Sequence, residues 1–224
     1  QPVAPEAEEK YLNWIRQRAE HIPLQQLTGE QGFMGLTFSV NEHVLIPRQD
    51  TEILVEEVLK ELHDGMRVLD MCTGSGCILL SLLHYSNDCE GLGVDLSAEA
   101  LEVAGRNVLK VLTPEKAEHA HFLQSDLFEK VEGKFEIIVS NPPYIASAEV
   151  EKLMPEVRDH EPRMALDGTE DGLYFYRRII EEAGKHLVSS GMLFFEIGYD
   201  QGQAVSELMR TEGVDIRDVY NDAV

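Results

Sequence analysis

At 224 residues, 43% of them hydrophobic, the chain can bury a sizeable core, and one main domain with a small appendage is the expected organisation. Its 41 acidic against 19 basic residues give a net charge of −22, which repels phosphate backbones, excludes a protein that grips duplex DNA on its own, and favours solubility or a basic protein partner. No apolar run approaches the ~20 residues that cross a bilayer, no charged-then-apolar leader opens the chain, and three cysteines without disulfide or zinc spacing fit reduced thiols in a cytoplasm.

Residues 1–5 read as a loose end. Glu6 to Glu20 reads as a helix with Leu12, Ile15 and Ala19 on one face and Trp14 packing on the next element. His21-Ile22-Pro23-Leu24 breaks it. Two β-like runs follow, Gln31 to Met34 and Leu36 to Val40, joined through Gly35 as a hairpin. A helix then spans Thr51 to about His63, with Asp50 or Thr51 as N-cap and an apolar face of Ile53, Leu54, Val58 and Leu62.

From Met66 strands and helices alternate. Strands are expected at Arg67–Met71, Gly91–Asp95, His119–Gln124, Glu136–Ser140, Met192–Ile197 and Val214–Tyr220. Helices are expected at Cys77–His84, Ala98–Leu112, Leu173–His186 and Gln201–Thr211. Repeated strand–helix units with near-continuous apolar strands mean an α/β fold with a mostly parallel sheet covered on both faces. Ligands of such sheets bind beyond the carboxyl ends of the strands. Asp70–Gly76, Asp95, Asp126 and Asn141–Tyr144 all fall at those ends.

Val68 to Cys77 is an apolar strand running into a glycine-bearing turn (Cys72, Thr73, Gly74, Ser75, Gly76) and then an apolar helix. The glycines permit a tight turn, and the helix start offers free N–H groups to a nucleotide-type ligand. Asp95 ends the next strand, where an acid accepts the ribose hydroxyls of an adenosine cofactor; it is equally placed to cap the helix that follows. Cys72 and Cys77 flank the turn, where small-residue packing explains them better than redox pairing.

Asn141-Pro142-Pro143-Tyr144 leaves the apolar strand that ends at Ser140. Both prolines fix φ near −65° and lack an N–H, and the first pushes Asn141 towards an extended conformation. Such a turn either ends a strand and nothing more, or holds a planar amino group between the Asn141 side-chain oxygen and the Pro142 carbonyl. His119 and His121 alternate on a strand as surface residues do, and no metal site is expected.

Taken together, these segments resemble the HemK/PrmC-type glutamine N5-methyltransferases. Pro23 to Gly29, Phe33 and Gly35 match that family's linker and hairpin, and Val44 to Glu52 matches its LIPRPxTE segment. Asp70 to Gly76, Asp95, Ser125-Asp126 and Asn141 to Tyr144 match its cofactor and substrate motifs. Glu156-Val157-Arg158, Glu161-Pro162, Ala165-Leu166 and Asp171-Gly172-Leu173 match the stretch beyond NPPY. NPPY alone is shared with enzymes that methylate nucleic-acid bases; its combination with the IPR-x-x-TE segment is specific.

The resemblance implies a Rossmann-like class I methyltransferase fold over 47–224 and a substrate-docking segment over 1–46. It implies that S-adenosylmethionine gives a methyl group to a glutamine of class I peptide-chain release factors and leaves as S-adenosylhomocysteine. Related activities are glutamine methylation of a ribosomal protein and adenine-N6 methylation of nucleic acid. The implied cofactor residues are Asp70, Cys72, Thr73, Gly74, Ser75, Gly76, Asp95, Leu96, Asp126, Leu127 and Asn141. Asn141, Pro142, Pro143 and Tyr144 are implied to bind substrate, with Asn141, Pro142 and Tyr144 catalytic and Arg48 and Thr51 as further candidates. A monomer is expected.

The chain departs from the family pattern in four respects. Cys72 replaces a glycine, tolerable if its φ is negative. Gln49 replaces a proline, and Leu127 stands where some members carry an aromatic. The chain looks trimmed at one or both ends, with the last strand missing.

Overall fold

The computed structural model describes residues 4–214. Helix α1 (Pro5–Ala19) starts on a proline, with Glu6 and Glu8 in its first turn and Arg16 and Arg18 in its last, which complements the helix dipole. It buries no residue: Leu12, Ile15 and Ala19 are exposed, and Trp14 is half-buried beneath the Lys10 ammonium, 4.7 Å from the ring. After Pro23 a short helix, α2 (Leu24–Thr28), ends on Gly29. Strands β1 (Glu30–Phe33) and β2 (Leu36–Ser39) pair as the expected antiparallel hairpin.

Helix α3 (Asp50–Glu61) is capped by Gln49, one residue before the expected caps. Asp50 is already helical and favours the dipole from the first turn. Thr51 faces inward, 3% exposed, and its hydroxyl serves Asn141 instead of the backbone.

The remaining elements follow in order: β3 (Arg67–Met71), α4 (Cys77–Tyr85), β4 (Glu90–Asp95), α5 (Ala98–Val111), α6 (Pro114–Ala117), β5 (Ala120–Gln124), β6 (Phe135–Ser140), α7 (Ser147–Val150), α8 (Pro155–Arg158), α9 (Tyr174–His186), β7 (Leu187–Phe195) and α10 (Gly202–Thr211). Strand β7 begins five residues earlier than expected. It runs straight on from α9, and its ladder with β6 shifts between Phe135–Leu187 and Ile137–Met192. The expected strand at 214–220 lies outside the described residues apart from Val214.

The main sheet is parallel throughout, in the order β5-β4-β3-β6-β7. Chain order reverses between β4 and β6 on either side of β3, so the switch point lies at the ends of β3 and β6. One face packs Val68, Ile137 and Val139 against α3, α4, α5 and the hairpin residues Phe33 and Phe38. The other packs Leu69, Met71 and Ile138 against Phe128, Ile179 and Ala183, with α10 adding Val205 beside Tyr176 and Ile180. Each fully buried Leu or Ile contributes roughly 1.5–3 kcal/mol. Among the described residues no helix is long and apolar enough to cross a membrane.

Candidate functional site

The strand ends open into one crevice of about 310 Å³. Its wall carries Cys72, Thr73, Gly74 and Ser75 from the turn after β3, Asp95 and Leu96 after β4, Asp126 and Leu127 after β5, Asn141 and Pro143 after β6, and Arg48 and Thr51 from the start of α3. Asp70, Gly76, Pro142 and Tyr144 are not on that wall.

Asp70 is the anchor behind the glycine turn. It is fully buried, and its Oδ2 accepts from the Thr73 hydroxyl at 2.6 Å and the Leu79 N–H at 3.3 Å. Its Oδ1 has no hydrogen-bond partner among the described residues. Burial, eased by those two bonds, lifts its pKa to about 7. Gly76 is left-handed, at φ +77, and lets the chain enter α4 directly. Cys72 has φ +63, so the proviso of a negative φ is not met. Its Cβ stands in the region that glycine occupies without strain. Burial pushes the Cys77 thiol up to about 12, and both cysteines are free thiols.

Asp95 serves the turn and faces the crevice. Its Oδ2 accepts from Gly74 N–H and its Oδ1 from Ser97 N–H, both at 2.9 Å. Ser97, not Asp95, caps α5, by accepting from Ala100 N–H at 3.0 Å. A carboxylate has about four lone-pair sites, and these backbone bonds do not use them all, so Asp95 can still receive a hydroxyl from the crevice. Asp126 pairs with Arg178 at 2.7 Å and makes no side-chain cap for the turn that follows. Leu127, at φ +48 and 6% exposed, places an apolar side chain on the wall where a flat base would lie. The donor and acceptor set therefore fits an adenosine-type cofactor: a carboxylate for a hydroxyl, an apolar wall, and a turn whose backbone lies open.

The NPPY turn is gripped from behind. Gly168 and Gly172 press against it: a Cβ at Gly168 would sit 2.8 Å from the Tyr144 Cα, and Gly172 has φ +73. Gln201 Nε2 donates to the Tyr144 carbonyl at 3.0 Å, and Ile145 pairs with Asp167 as an isolated parallel bridge. Asn141 Nδ2 donates to the Thr51 hydroxyl at 3.3 Å. Tyr144 turns away from the crevice, its hydroxyl 3.4 Å from Glu196 Oε1, and burial pushes its pKa up to about 12.

Arg48 pairs with Glu161 at 2.5 Å, and the Glu161 side chain, 1% exposed, also accepts from Ile46 N–H at 3.1 Å. The IPR segment is thereby tied to the stretch beyond NPPY, while Arg48 still lines the crevice. His119 and His121 are exposed and face Glu90.

Sequence reasoning missed three contributors: Glu196, Gln201 and Asn107. Asn107 is fully buried; it accepts from Ser39 N–H at 2.7 Å and donates to the carbonyls of Ser39 at 3.1 Å and Ser75 at 2.9 Å. Its signal was legible as a polar residue on the apolar face of α5, between Val103-Ala104 and Val108.

The family model described as "Methyltransferase small domain" matches residues 48–157. A release factor glutamine methyltransferase of Clostridium acetobutylicum is 45% identical over 208 residues, covering 91% of this chain and 72% of that protein. One from Agrobacterium fabrum is 40% identical over 227 residues, covering 99% and 78%. A methyltransferase structure from Pyrococcus furiosus matches with a TM-score of 0.59 at 17% identity, covering 98% of this chain and 94% of that one, a likeness of fold alone. With a parallel sheet of Rossmann-like class I type, a crevice at its switch point and these relatives, the chain belongs to the release factor glutamine methyltransferase family.

Proposed function

We propose that this chain transfers a methyl group from S-adenosylmethionine to the side-chain amide nitrogen of the glutamine in the Gly-Gly-Gln motif of class I peptide-chain release factors. The observation that carries the reading is the juxtaposition of Asn141 with the Asp95 and Gly74 wall in one crevice. S-adenosylmethionine, when bound, supplies an already activated methyl group. Asp95 and Leu127 line the crevice; Asp95 would receive a ribose hydroxyl of the cofactor, and Leu127 would lie against its base.

An amide nitrogen is a poor nucleophile because its lone pair is delocalised. No side chain on the wall is a strong base aimed at it, so this chain works by positioning. The Asn141 Oδ1 on the wall, with the carbonyl of the adjacent Pro142 just behind it, would accept the two N–H groups of the glutamine amide and orient its nitrogen. Orientation of this kind supplies up to roughly 7–11 kcal/mol of a barrier. S-adenosylmethionine would supply the methyl group, and the amide nitrogen held by Asn141 and Pro142 would give up its surplus proton to water. The segment 1–46 docks the protein substrate, and the enzyme works as a cytoplasmic monomer.

The test is methyl transfer from labelled S-adenosylmethionine to a purified release factor, to a copy with its Gly-Gly-Gln glutamine changed to alanine, to ribosomal protein and to duplex DNA. Label on the unmodified release factor alone is expected. Label on DNA or on ribosomal protein instead would replace the substrate assignment. Asn141→Ala is expected to abolish turnover while calorimetry shows S-adenosylmethionine binding largely intact; equal loss of both would remove Asn141 from the substrate.

A further inference from the structure

Glu196 follows β7 directly, and its backbone N–H donates to the Ser140 carbonyl at 3.0 Å, so it stands beside Asn141 at the switch point. Its Oε1 receives the Tyr144 hydroxyl at 3.4 Å, and its Oε2 is buried without a hydrogen-bond partner among the described residues. Burial raises its pKa, while the Thr51 hydroxyl, the Tyr144 hydroxyl and the Asn141 amide, which face it, hold it down; Asp50 repels it.

The Thr51 hydroxyl has one proton and two lone pairs. It meets the Asn141 amide at 3.3 Å and lies close enough to the Glu196 carboxylate to hold its pKa down, so two groups compete for that proton: the Glu196 carboxylate and, were the amide reversed, the Asn141 carbonyl oxygen. A charged acceptor makes the stronger bond. The proton is therefore drawn towards Glu196, and Thr51 has only a lone pair to offer Asn141. That lone pair accepts from Asn141 Nδ2, which stands 3.3 Å away.

We propose that Thr51 and Glu196 are positioning residues that fix the Asn141 carboxamide with Nδ2 turned inward and Oδ1 presented to the substrate amide. The inference rests on the proposed glutamine chemistry, in which Asn141 must accept. A reversed carboxamide would offer N–H groups to another N–H donor and repel it.

The experiment reads the Asn141 side-chain amide by NMR in protein labelled with ¹⁵N-asparagine, assigned with Asn141→Ala, and then follows steady-state kinetics on a release factor. In Thr51→Val and Glu196→Gln the Asn141 Nδ2H₂ resonance is expected to shift and to exchange faster with solvent. kcat should fall about 10- to 100-fold, the scale of a misplaced reacting group, with the Kd for S-adenosylmethionine unchanged. Thr51→Ser, which keeps the hydroxyl, should restore both resonance and kcat. An Asn141 resonance unmoved in both variants, or Thr51→Ser as impaired as Thr51→Val, would overturn the inference. A wild-type enzyme inactive on the release factor whose resonance nonetheless responds as expected would reject the substrate and leave the orientation standing.

Discussion

At the scale of single residues, the turn after β3 carries two costs. Cys72 holds φ +63, and a non-glycine residue there is strained by roughly 1–2 kcal/mol. Cys72→Gly is expected to raise the urea-unfolding free energy by about 1 kcal/mol; an unchanged or lower value would mean that packing of the thiol outweighs the strain. Asp70 carries the second cost, its pKa of about 7 set by burial. The folded chain keeps a proton that the unfolded chain has released, so this contribution is fully present below the unfolded pKa and is lost as pH rises through the folded one. Native protein should therefore lose more unfolding free energy than Asp70→Asn between about pH 5 and about pH 8, and equal losses would show that Asp70 does not titrate in that range. Asp70 and Cys72 were singled out from sequence, but a backbone angle and a buried, half-satisfied carboxylate are properties of the folded turn that residue names do not carry.

At the scale of elements, the hairpin and the glycine turn are joined by one side chain. Asn107 on α5 bonds Ser39 of β2 and the Ser75 carbonyl. Asn107→Ala leaves the buried Ser75 carbonyl and the half-buried Ser39 groups unpaired, at about 1–3 kcal/mol for a fully buried group and less for the others. A loss of about 3 kcal/mol in chemical denaturation is expected, with severalfold weaker S-adenosylmethionine binding by calorimetry; a change in stability alone would separate the hairpin from the cofactor wall. The central strands and long helices were legible because their apolar periods are strong, and β3 matches its expected bounds. The short helices α2, α6, α7 and α8 were not, since four or five residues carry too little periodicity to read. Strand β7 was placed late because Ser189, Ser190 and Gly191 look like a turn, yet the ladder irregularity absorbs them.

At the scale of the whole molecule, a net charge of −22 sets a long-range field that attracts basic partners. Raising salt from about 0.1 to about 1 M shortens the Debye length from ~10 to ~3 Å. The KM for the release factor is expected to rise severalfold over that range while the Kd for S-adenosylmethionine changes far less; parallel changes would mean that charge does not steer the substrate. Composition and apolar periodicity were enough to determine the parallel α/β architecture and the crevice at its strand ends, because these follow from local spacing; the family came instead from the resemblance carried by the IPR-x-x-TE, glycine-turn and NPPY segments. Only the tertiary structure decided that Asp70 stands behind the glycine turn, that the Tyr144 hydroxyl meets Glu196, and that Thr51, sequence-distant from Asn141, meets its amide. Those outcomes depend on which strand ends meet at the switch point, and contacts between distant segments leave no local periodicity in a single chain.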